Sequence, residues 1–251
     1  WGARRPIWTR RRPDGPICLW LARMHSNATL AAAALLLFVI AAAAQTSSPE
    51  RLVIGLDLSE SNPLVANPEY ARKLAERVSD RIAPLPLKSE VLIRTFGSID
   101  ATANTLKVNE VISTRSRPED VAASTELLIA SVPALAAEGR LKIQSETNIV
   151  AFIRTMIDAV GECETNTTFI LLTDGLEDSS YARLAFADTA LPDIDIKPPN
   201  DRRYKCEELQ ILGLGEGLDN LDAVDDLRSK WEAWATDRNR PFKRFSGLRG
   251  W

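Results

Sequence analysis

The sequence contains a single histidine, His25, and none of the residues that follow it is a histidine. Histidine is the usual general base of nucleophilic catalysis near neutral pH and a frequent ligand of zinc. Its absence from the rest of the chain excludes Ser-His-Asp and Cys-His catalysis there, and it excludes zinc held by histidine. Any site beyond position 25 therefore depends on other side chains, above all carboxylates and hydroxyls.

Basic residues are scarce once the N-terminal segment is set aside. Residues 1–44 contain six of the 31 basic residues and one of the 34 acidic residues. The remainder carries 25 basic against 33 acidic residues, a net charge of −8. A protein that binds nucleic acid normally presents a basic face. We therefore expect no nucleic-acid partner.

Long apolar runs are absent except at residues 28–44, a stretch of 17 uncharged and almost wholly apolar residues. The run follows an arginine-rich stretch and ends in the small residues Ala41–Ala44, which is typical of a secretory signal peptide. We expect residues 1–23 to be an upstream or non-native extension, residues 24–44 a signal peptide, and residues 45–251 an exported domain, periplasmic or secreted. The alternative is an uncleaved inner-membrane anchor, because this length is near the lower limit for crossing a bilayer. Only that alternative brings the protein to a membrane.

Cysteine is also rare, with three residues in the chain. Cys18 lies in the upstream stretch, so Cys163 and Cys206 are left in the expected exported domain. An even number of cysteines in an exported protein favours a disulfide. The alternative is a pair of buried free thiols.

Short apolar runs alternate with helical patterns along the chain. Continuous apolar runs without alternation predict parallel strands that are buried on both faces. Strands that alternate with helices predict βαβ units and a mostly parallel sheet. The predicted strands are Arg51–Asp57, Val91–Phe96, Leu106–Ile112 at an edge, Phe169–Leu172, Leu209–Leu214 and Phe242–Phe245.

Proline and capping residues mark the helix starts. The segment between Ser179 and Lys205 is rich in proline and aspartate and is predicted to be an irregular surface excursion. Trp231 and Trp234 are expected to pack on the core. The predicted helices begin at Asn67, at Pro118 with an end near Pro133 and a short turn of helix before Gly139, near Thr147, and at Asn220 with an end at Thr236.

Acidic and hydroxyl side chains follow the predicted strands. The segment 57–61, with Asp57, Ser59 and Ser61, comes directly after the first strand, and Asp174 comes directly after Phe169–Leu172 and Thr173. Ligands gather beyond the carboxyl ends of parallel strands. The candidate ligands are these two carboxylates together with the hydroxyls of Ser59, Ser61 and Thr147. A ligand set of oxygen atoms without nitrogen or sulfur favours Mg²⁺, with Mn²⁺ or Ca²⁺ as alternatives.

Three neighbouring features have simpler interpretations. Glu177 and Asp178 are expected to be solvated loop acids. The glycine-rich segment 213–217 lacks the lysine and the spacing of a phosphate-binding loop, and it is expected to form a tight turn after its strand.

These motifs resemble the von Willebrand factor type A family and its metal-ion-dependent adhesion site, whose pattern is Asp-x-Ser-x-Ser, then Thr, then Asp followed by Gly. The resemblance covers roughly residues 50–249. It implies a Rossmann-like, doubly wound, mostly parallel sheet with one antiparallel edge strand and helices on both faces. It also implies that Ser59 and Ser61 ligate the metal directly, Thr147 directly or through water, and Asp57 and Asp174 largely through water.

The resemblance also implies a position for the cysteines. In the family's sheet the strands at Phe169 and Leu209 are parallel neighbours. Cys163 and Cys206 precede these strands, so the resemblance places both at the edge opposite the metal and supports a disulfide between them.

Two functions are consistent with these residues. The first is a non-enzymatic module for adhesion or assembly at the cell envelope or exterior, in which another protein supplies a Glu or Asp to the metal. The alternative is a Mg²⁺-dependent hydrolase or phosphatase with Asp57 as nucleophile. Such phosphatases carry a second Asp where this chain has Ser59, and a serine hydroxyl cannot act as a general acid at ordinary pH. We therefore favour the binding module.

Overall fold

Six strands form one sheet in the computed structural model, which describes residues 48–99, 102–160, 163, 166–180, 182–184, 206–236 and 241–249. The predicted signal region and most of the predicted excursion lie outside these residues. The strand order is β3-β2-β1-β4-β5-β6, and every neighbouring pair is parallel except β2 and β3. The strands are β1 (Arg51–Asp57), β2 (Glu90–Phe96), β3 (Lys107–Val111), β4 (Thr167–Leu172), β5 (Cys206–Leu212) and β6 (Phe242–Leu248).

The predicted fold class is confirmed, including the antiparallel edge strand. In β3 exposed residues alternate with half-buried ones, as expected for an edge strand with one face toward water. Strand β4 is buried at all six positions, and β1 is buried from its second residue onward. Such burial on both faces explains the continuous apolar runs from which these strands were predicted.

Within the described residues, five α-helices cover the two faces of the sheet. The first, α1, begins where Asn67 caps it by accepting a hydrogen bond from the Tyr70 backbone N–H at 3.1 Å, and Pro68 occupies its first turn. In the part of the chain that the structure describes, no helix is both long and apolar enough to cross a membrane. The helices are α1 (Pro68–Ile82), α2 (Pro118–Ala130), α3 (Val132–Ala137), α4 (Ile149–Val160) and α5 (Leu221–Thr236).

Two apolar cores lie on opposite sides of the sheet. Helices α1, α2 and α3 pack over one face against side chains such as Ile54 and Ile93. Helices α4 and α5 pack over the other face, where Phe169 contacts Phe242 edge to face with ring centroids 5.3 Å apart. Trp231 is completely buried in this second core, as predicted. Burying one large apolar side chain contributes about 1.5–3 kcal/mol to the free energy of folding. Packing helices on both faces of the sheet is therefore favourable, because it buries the apolar side chains of both cores.

The predicted end of the second helix near Pro133, with a short turn of helix before Gly139, agrees with the structure. Helix α2 ends at Ala130, and α3 follows at Val132–Ala137 with Pro133 in its first turn. Proline is tolerated in a first helical turn because the N–H that it lacks has no partner there in any case. The residue thus begins a short helix instead of ending a longer one.

A disulfide joins Cys163 to Cys206, with Cα atoms 4.8 Å apart and a sequence separation of 43. Cys206 is the first residue of β5, and Cys163 precedes β4, which is the neighbour of β5. Because the two strands are parallel, the cysteines lie where the strands begin, at the sheet edge away from Asp57 and Asp174.

We expect the Cys163→Ser variant to be less stable than the parent by about 4 kcal/mol, because the disulfide closes a long loop and reduces the entropy of the unfolded chain. Urea unfolding of the oxidised parent and of the variant measures the difference. Alkylation and mass spectrometry of unreduced, exported protein should find no free thiol at either position. Two alkylated cysteines would contradict the assignment.

Candidate metal site

Asp57 is the last residue of β1, and its carboxylate is completely buried. One oxygen, Oδ1, accepts a hydrogen bond from the Ser59 backbone N–H at 2.9 Å. The other, Oδ2, accepts one from the Thr173 hydroxyl at 2.6 Å. The carboxylate is therefore held in one orientation by groups from two strand ends.

The loop after Asp57 carries the two predicted serine ligands next to each other. The hydroxyl oxygens of Ser59 and Ser61 are 3.3 Å apart. Ser59 is buried, whereas Ser61 is exposed and gives the site a side that faces solvent. The backbone of Gln144 fixes the loop, because its N–H donates to the Leu58 carbonyl and its carbonyl accepts from the Glu60 N–H, both at 2.9 Å.

Asn62 holds the two strand ends together, a role that the sequence did not predict. Its side-chain nitrogen donates to the backbone carbonyls of Asp57 and Leu172, each at 3.0 Å. Those carbonyls belong to the last residues of β1 and β4, so one side chain joins the ends of two neighbouring strands. An asparagine after Asp-x-Ser-x-Ser is visible in the sequence, but its partners become apparent only once the two strands are neighbours.

Asp174 approaches the same place from the end of β4. Its carboxylate is 1% exposed, and Oδ1 accepts a hydrogen bond from the Leu176 N–H at 2.9 Å. The other oxygen, Oδ2, is buried and has no hydrogen-bond partner within the described part of the chain. Gly175 follows with φ of +77°, and its carbonyl accepts a hydrogen bond from the Trp231 indole at 2.8 Å. An unpaired buried carboxylate oxygen is costly, which makes this atom a natural ligand for a cation or its bound water.

Thr147 is buried two residues before α4 and is attached to the loop that follows Asp174. Its N–H donates to the Asp178 carbonyl and its carbonyl accepts from the Asp178 N–H, both at 3.0 Å. The Thr147 segment and the Asp174 loop therefore form one connected unit. The structure thus brings together the Asp57 loop, the Asp174 loop and the Thr147 segment, although they are far apart in sequence.

Glu177 is not the solvated loop acid that we expected. It is completely buried, and Oε2 accepts hydrogen bonds from the Ile149 and Val150 N–H groups at 2.7 and 3.1 Å. These are the first two residues of α4, whose N–H groups have no partner inside the helix. Asp178 is the acid that faces water, where it pairs with Arg183 at 3.2 Å.

The glycines of segment 213–217 form the tight turn that the sequence predicted. Gly213, Gly215 and Gly217 all have positive φ. A Cβ atom on Gly213 would overlap the Tyr70 hydroxyl, so only glycine fits there. The turn brings β5 to an end beside Asp174, whose carbonyl accepts a hydrogen bond from the Gly215 N–H at 2.8 Å.

Burial changes the acid–base behaviour of the two aspartates. Desolvation, and after it the nearby charge of Asp174, raises the pKa of Asp57 from 3.8 to about 7. Desolvation also raises the pKa of Asp174, although the hydrogen bond from the Leu176 N–H offsets part of that effect. Two buried carboxylates that oppose each other's ionisation can both stay charged if a cation lies between them.

The residues present fit a hard divalent cation. In the described residues there is no cluster of three or more histidine, cysteine, aspartate or glutamate side chains, so a site rich in charged ligands is absent from them. The ion would instead be held by hydroxyls together with two carboxylates, a donor set made only of oxygen. Its residues are Asp57, Ser59, Ser61, Thr147 and Asp174.

Comparison with known proteins found no matching family model and no matching curated protein. Among solved structures, the chain is similar to the pilus adhesin SpaC from Lactobacillus rhamnosus GG in its open conformation. The sequences are 14% identical, the TM-score is 0.42, and the match covers 82% of this chain and 28% of the adhesin. The chain thus spans less than a third of the adhesin's length. A likeness this distant carries no conclusion about function.

Asp57→Ala and Asp174→Ala are each expected to abolish Mg²⁺ and Mn²⁺ binding, because each removes one of the two carboxylates at the site. Isothermal titration calorimetry measures the loss, and circular dichroism should stay unchanged. Glu60→Gln is the matched control: it removes an exposed neighbouring carboxylate and should keep the affinity within about threefold, since exposed charges are screened. Binding by both alanine variants at the level of the parent would show that the assignment is wrong.

The stability of the protein should depend on pH in a way that a divalent cation removes. The pKa of Asp57 is raised from its ordinary value of 3.8 to about 7 in the folded protein. Ionisation of this carboxyl therefore favours the unfolded chain. In chelator, the urea midpoint should be highest at low pH and fall as the pH rises through 7. With saturating Mg²⁺ the fall should be smaller, because the ion binds the ionised pair.

Asp57→Asn is the control for this pH dependence. It should reduce the slope without abolishing it, since burial also raises the pKa of Glu177 to about 7 and adds an effect of the same sign. A midpoint in chelator that rises between pH 5 and 8 would contradict the prediction.

Proposed function

We propose that this protein is an exported, metal-dependent protein-binding module of the von Willebrand factor type A kind. The observation that carries the proposal is the convergence of two buried carboxylates, Asp57 and Asp174, with hydroxyl groups at one end of a parallel sheet. Two further features support the proposal: Asp174 Oδ2 has no hydrogen-bond partner among the described residues, and Ser61 faces solvent, so an ion bound here would be accessible from that side.

Mg²⁺ is the ion we propose, with Mn²⁺ or Ca²⁺ as substitutes. Neutral hydroxyls donate little charge, and both aspartates already accept hydrogen bonds from the protein. An ion held in this way keeps positive character and retains water that can be exchanged. A carboxylate from another protein can replace that water and form a charge-assisted contact.

Export is part of the proposal. A disulfide between Cys163 and Cys206 is typical of oxidising compartments such as the periplasm or the cell exterior. The predicted signal segment agrees with this compartment. If that segment stays uncleaved, the same domain would be held at the inner membrane.

The hydrolase alternative is less well supported by the site. Both oxygens of Asp57 are occupied by hydrogen bonds, and Ser59 stands where a second acid would protonate the leaving group. A cavity of about 410 Å³ lies beside α4, lined by Phe96, Phe152 and Met156, and none of the five candidate ligands lines it. An apolar cavity of this size suits a small ligand, but this one does not include the predicted metal ligands.

Partner binding should require divalent cation and should fall sharply in Thr147→Ala, which removes one hydroxyl ligand. It should weaken little between low and moderate salt, because residues 45–251, with a net charge of −8, do not attract an anionic partner over long range. A pull-down with Mg²⁺ and again with chelator identifies the partner. Surface plasmon resonance against that partner, across a salt series, measures each effect.

Thr125→Ala is the matched control for partner binding. It removes a buried threonine hydroxyl from α2, on the other face of the sheet, and should bind like the parent. Undiminished binding in chelator would mean that the partner uses another surface and that the proposed function is wrong.

A further inference from the structure

We propose that Glu177 is a positioning residue for the metal, holding the Thr147 segment in register with Asp174. The inference rests on the proposed function, because it concerns the same site. The Glu177 carboxylate accepts hydrogen bonds from the backbone N–H groups of the first two residues of α4, and neither of these residues is a predicted ligand. Its effect on the ion would therefore be exerted through the backbone that carries Thr147.

The first step of the argument is that α4 is capped from outside. The residue before the helix is Asn148, the usual capping position. Its side-chain nitrogen donates to the Gly97 carbonyl at 2.8 Å, and its Oδ1 has no hydrogen-bond partner in the described part of the chain. Asn148 therefore does not cap α4. The Glu177 carboxylate does so, with one oxygen that accepts from both Ile149 and Val150.

The second step is that the capping residue belongs to the loop that carries a predicted ligand. Glu177 lies three residues after Asp174, and its neighbour Asp178 pairs with Thr147 through both backbone groups. The Trp231 indole holds Gly175 in the same loop at 2.8 Å. A displacement of Glu177 would therefore change the position of Thr147 relative to Asp174.

The third step concerns the choice of a carboxylate. Burial of Glu177 raises its pKa to about 7, so the fold tolerates an acid that is unfavourable there. The positive end of the α4 dipole compensates in part, since it favours negative charge at a helix N-terminus. Glutamate also has the reach that a cap from a separate loop requires.

The test measures Mn²⁺ affinity by calorimetry on the purified protein, together with hydrogen exchange of the Ile149 and Val150 amides. Glu177→Ala should weaken binding about tenfold, the low end of the loss that follows removal of groups which orient metal ligands. Glu177→Gln keeps an oxygen acceptor and should restore affinity to within about threefold of the parent. Glu177→Asp keeps the charge but shortens the side chain, and it should bind weakly even if the alanine variant does not fold.

Two controls separate positioning from general destabilisation. Asp178→Ala removes a carboxylate one residue away while leaving the backbone pairing with Thr147, and it should bind like the parent. Val78→Ala creates a cavity in the remote core of α1, so it should lower the urea midpoint without changing Mn²⁺ affinity.

The outcomes are distinguishable. Failure of the parent to bind Mn²⁺ would overturn the proposed function itself. The positioning role would be overturned if the parent binds Mn²⁺ and the Glu177→Ala and Glu177→Asp variants bind it equally well while their α4 amides exchange faster. Glu177 would then be a helix cap only. A Glu177→Gln variant as weak as Glu177→Ala would overturn the mechanism through a hydrogen-bond acceptor.

Discussion

The burial of Asp57 and Asp174 at one end of the sheet is the constraint on which the rest of the site depends. Ionised carboxylates without water around them are unfavourable unless they receive hydrogen bonds or a cation. Hydrogen bonds from Ser59, Thr173 and Leu176 supply part of this compensation. The remaining oxygen of Asp174 has no hydrogen-bond partner in the part of the chain that the structure describes, and the cation that we propose would supply the missing compensation.

One short segment, residues 144–149, connects the two loops that carry the carboxylates. At its start Gln144 bonds to both sides of Ser59 through its backbone, and its side-chain oxygen accepts from the Ser98 hydroxyl at 2.8 Å. At its end Thr147 and Ile149 are attached to Asp178 and Glu177. The segment has little regular structure of its own, so its position is determined by these contacts at either end. That arrangement fixes three separate stretches of sequence relative to one another.

The sequence was sufficient for the fold class, and the same local patterns named the candidate ligands, whose role in metal binding stays a prediction. Buried parallel strands produce continuous apolar runs, and Asp57 and Asp174 stand directly after two of them. The hydrogen bonds of the Asn62, Glu177 and Trp231 side chains were not predicted, because each joins segments that are distant in sequence. A buried glutamate looks like a surface acid until the helix that it caps is in place. The break near Pro133 was predicted, but the exact boundary was not, because proline both ends and begins helices and the turn at Ser131 decides between the two.

The hydrogen bond from Trp231 to Gly175 extends the site into α5. The indole belongs to a helix in the second core, and Gly175 belongs to the loop next to Asp174. An outward movement of that loop would either separate the Gly175 carbonyl from the indole or carry the indole with it, and Trp234 packs edge to face on the same indole with ring centroids 5.4 Å apart. Displacing the loop would therefore disturb the packing of the second core, so the two tryptophans make this side of the site stiff.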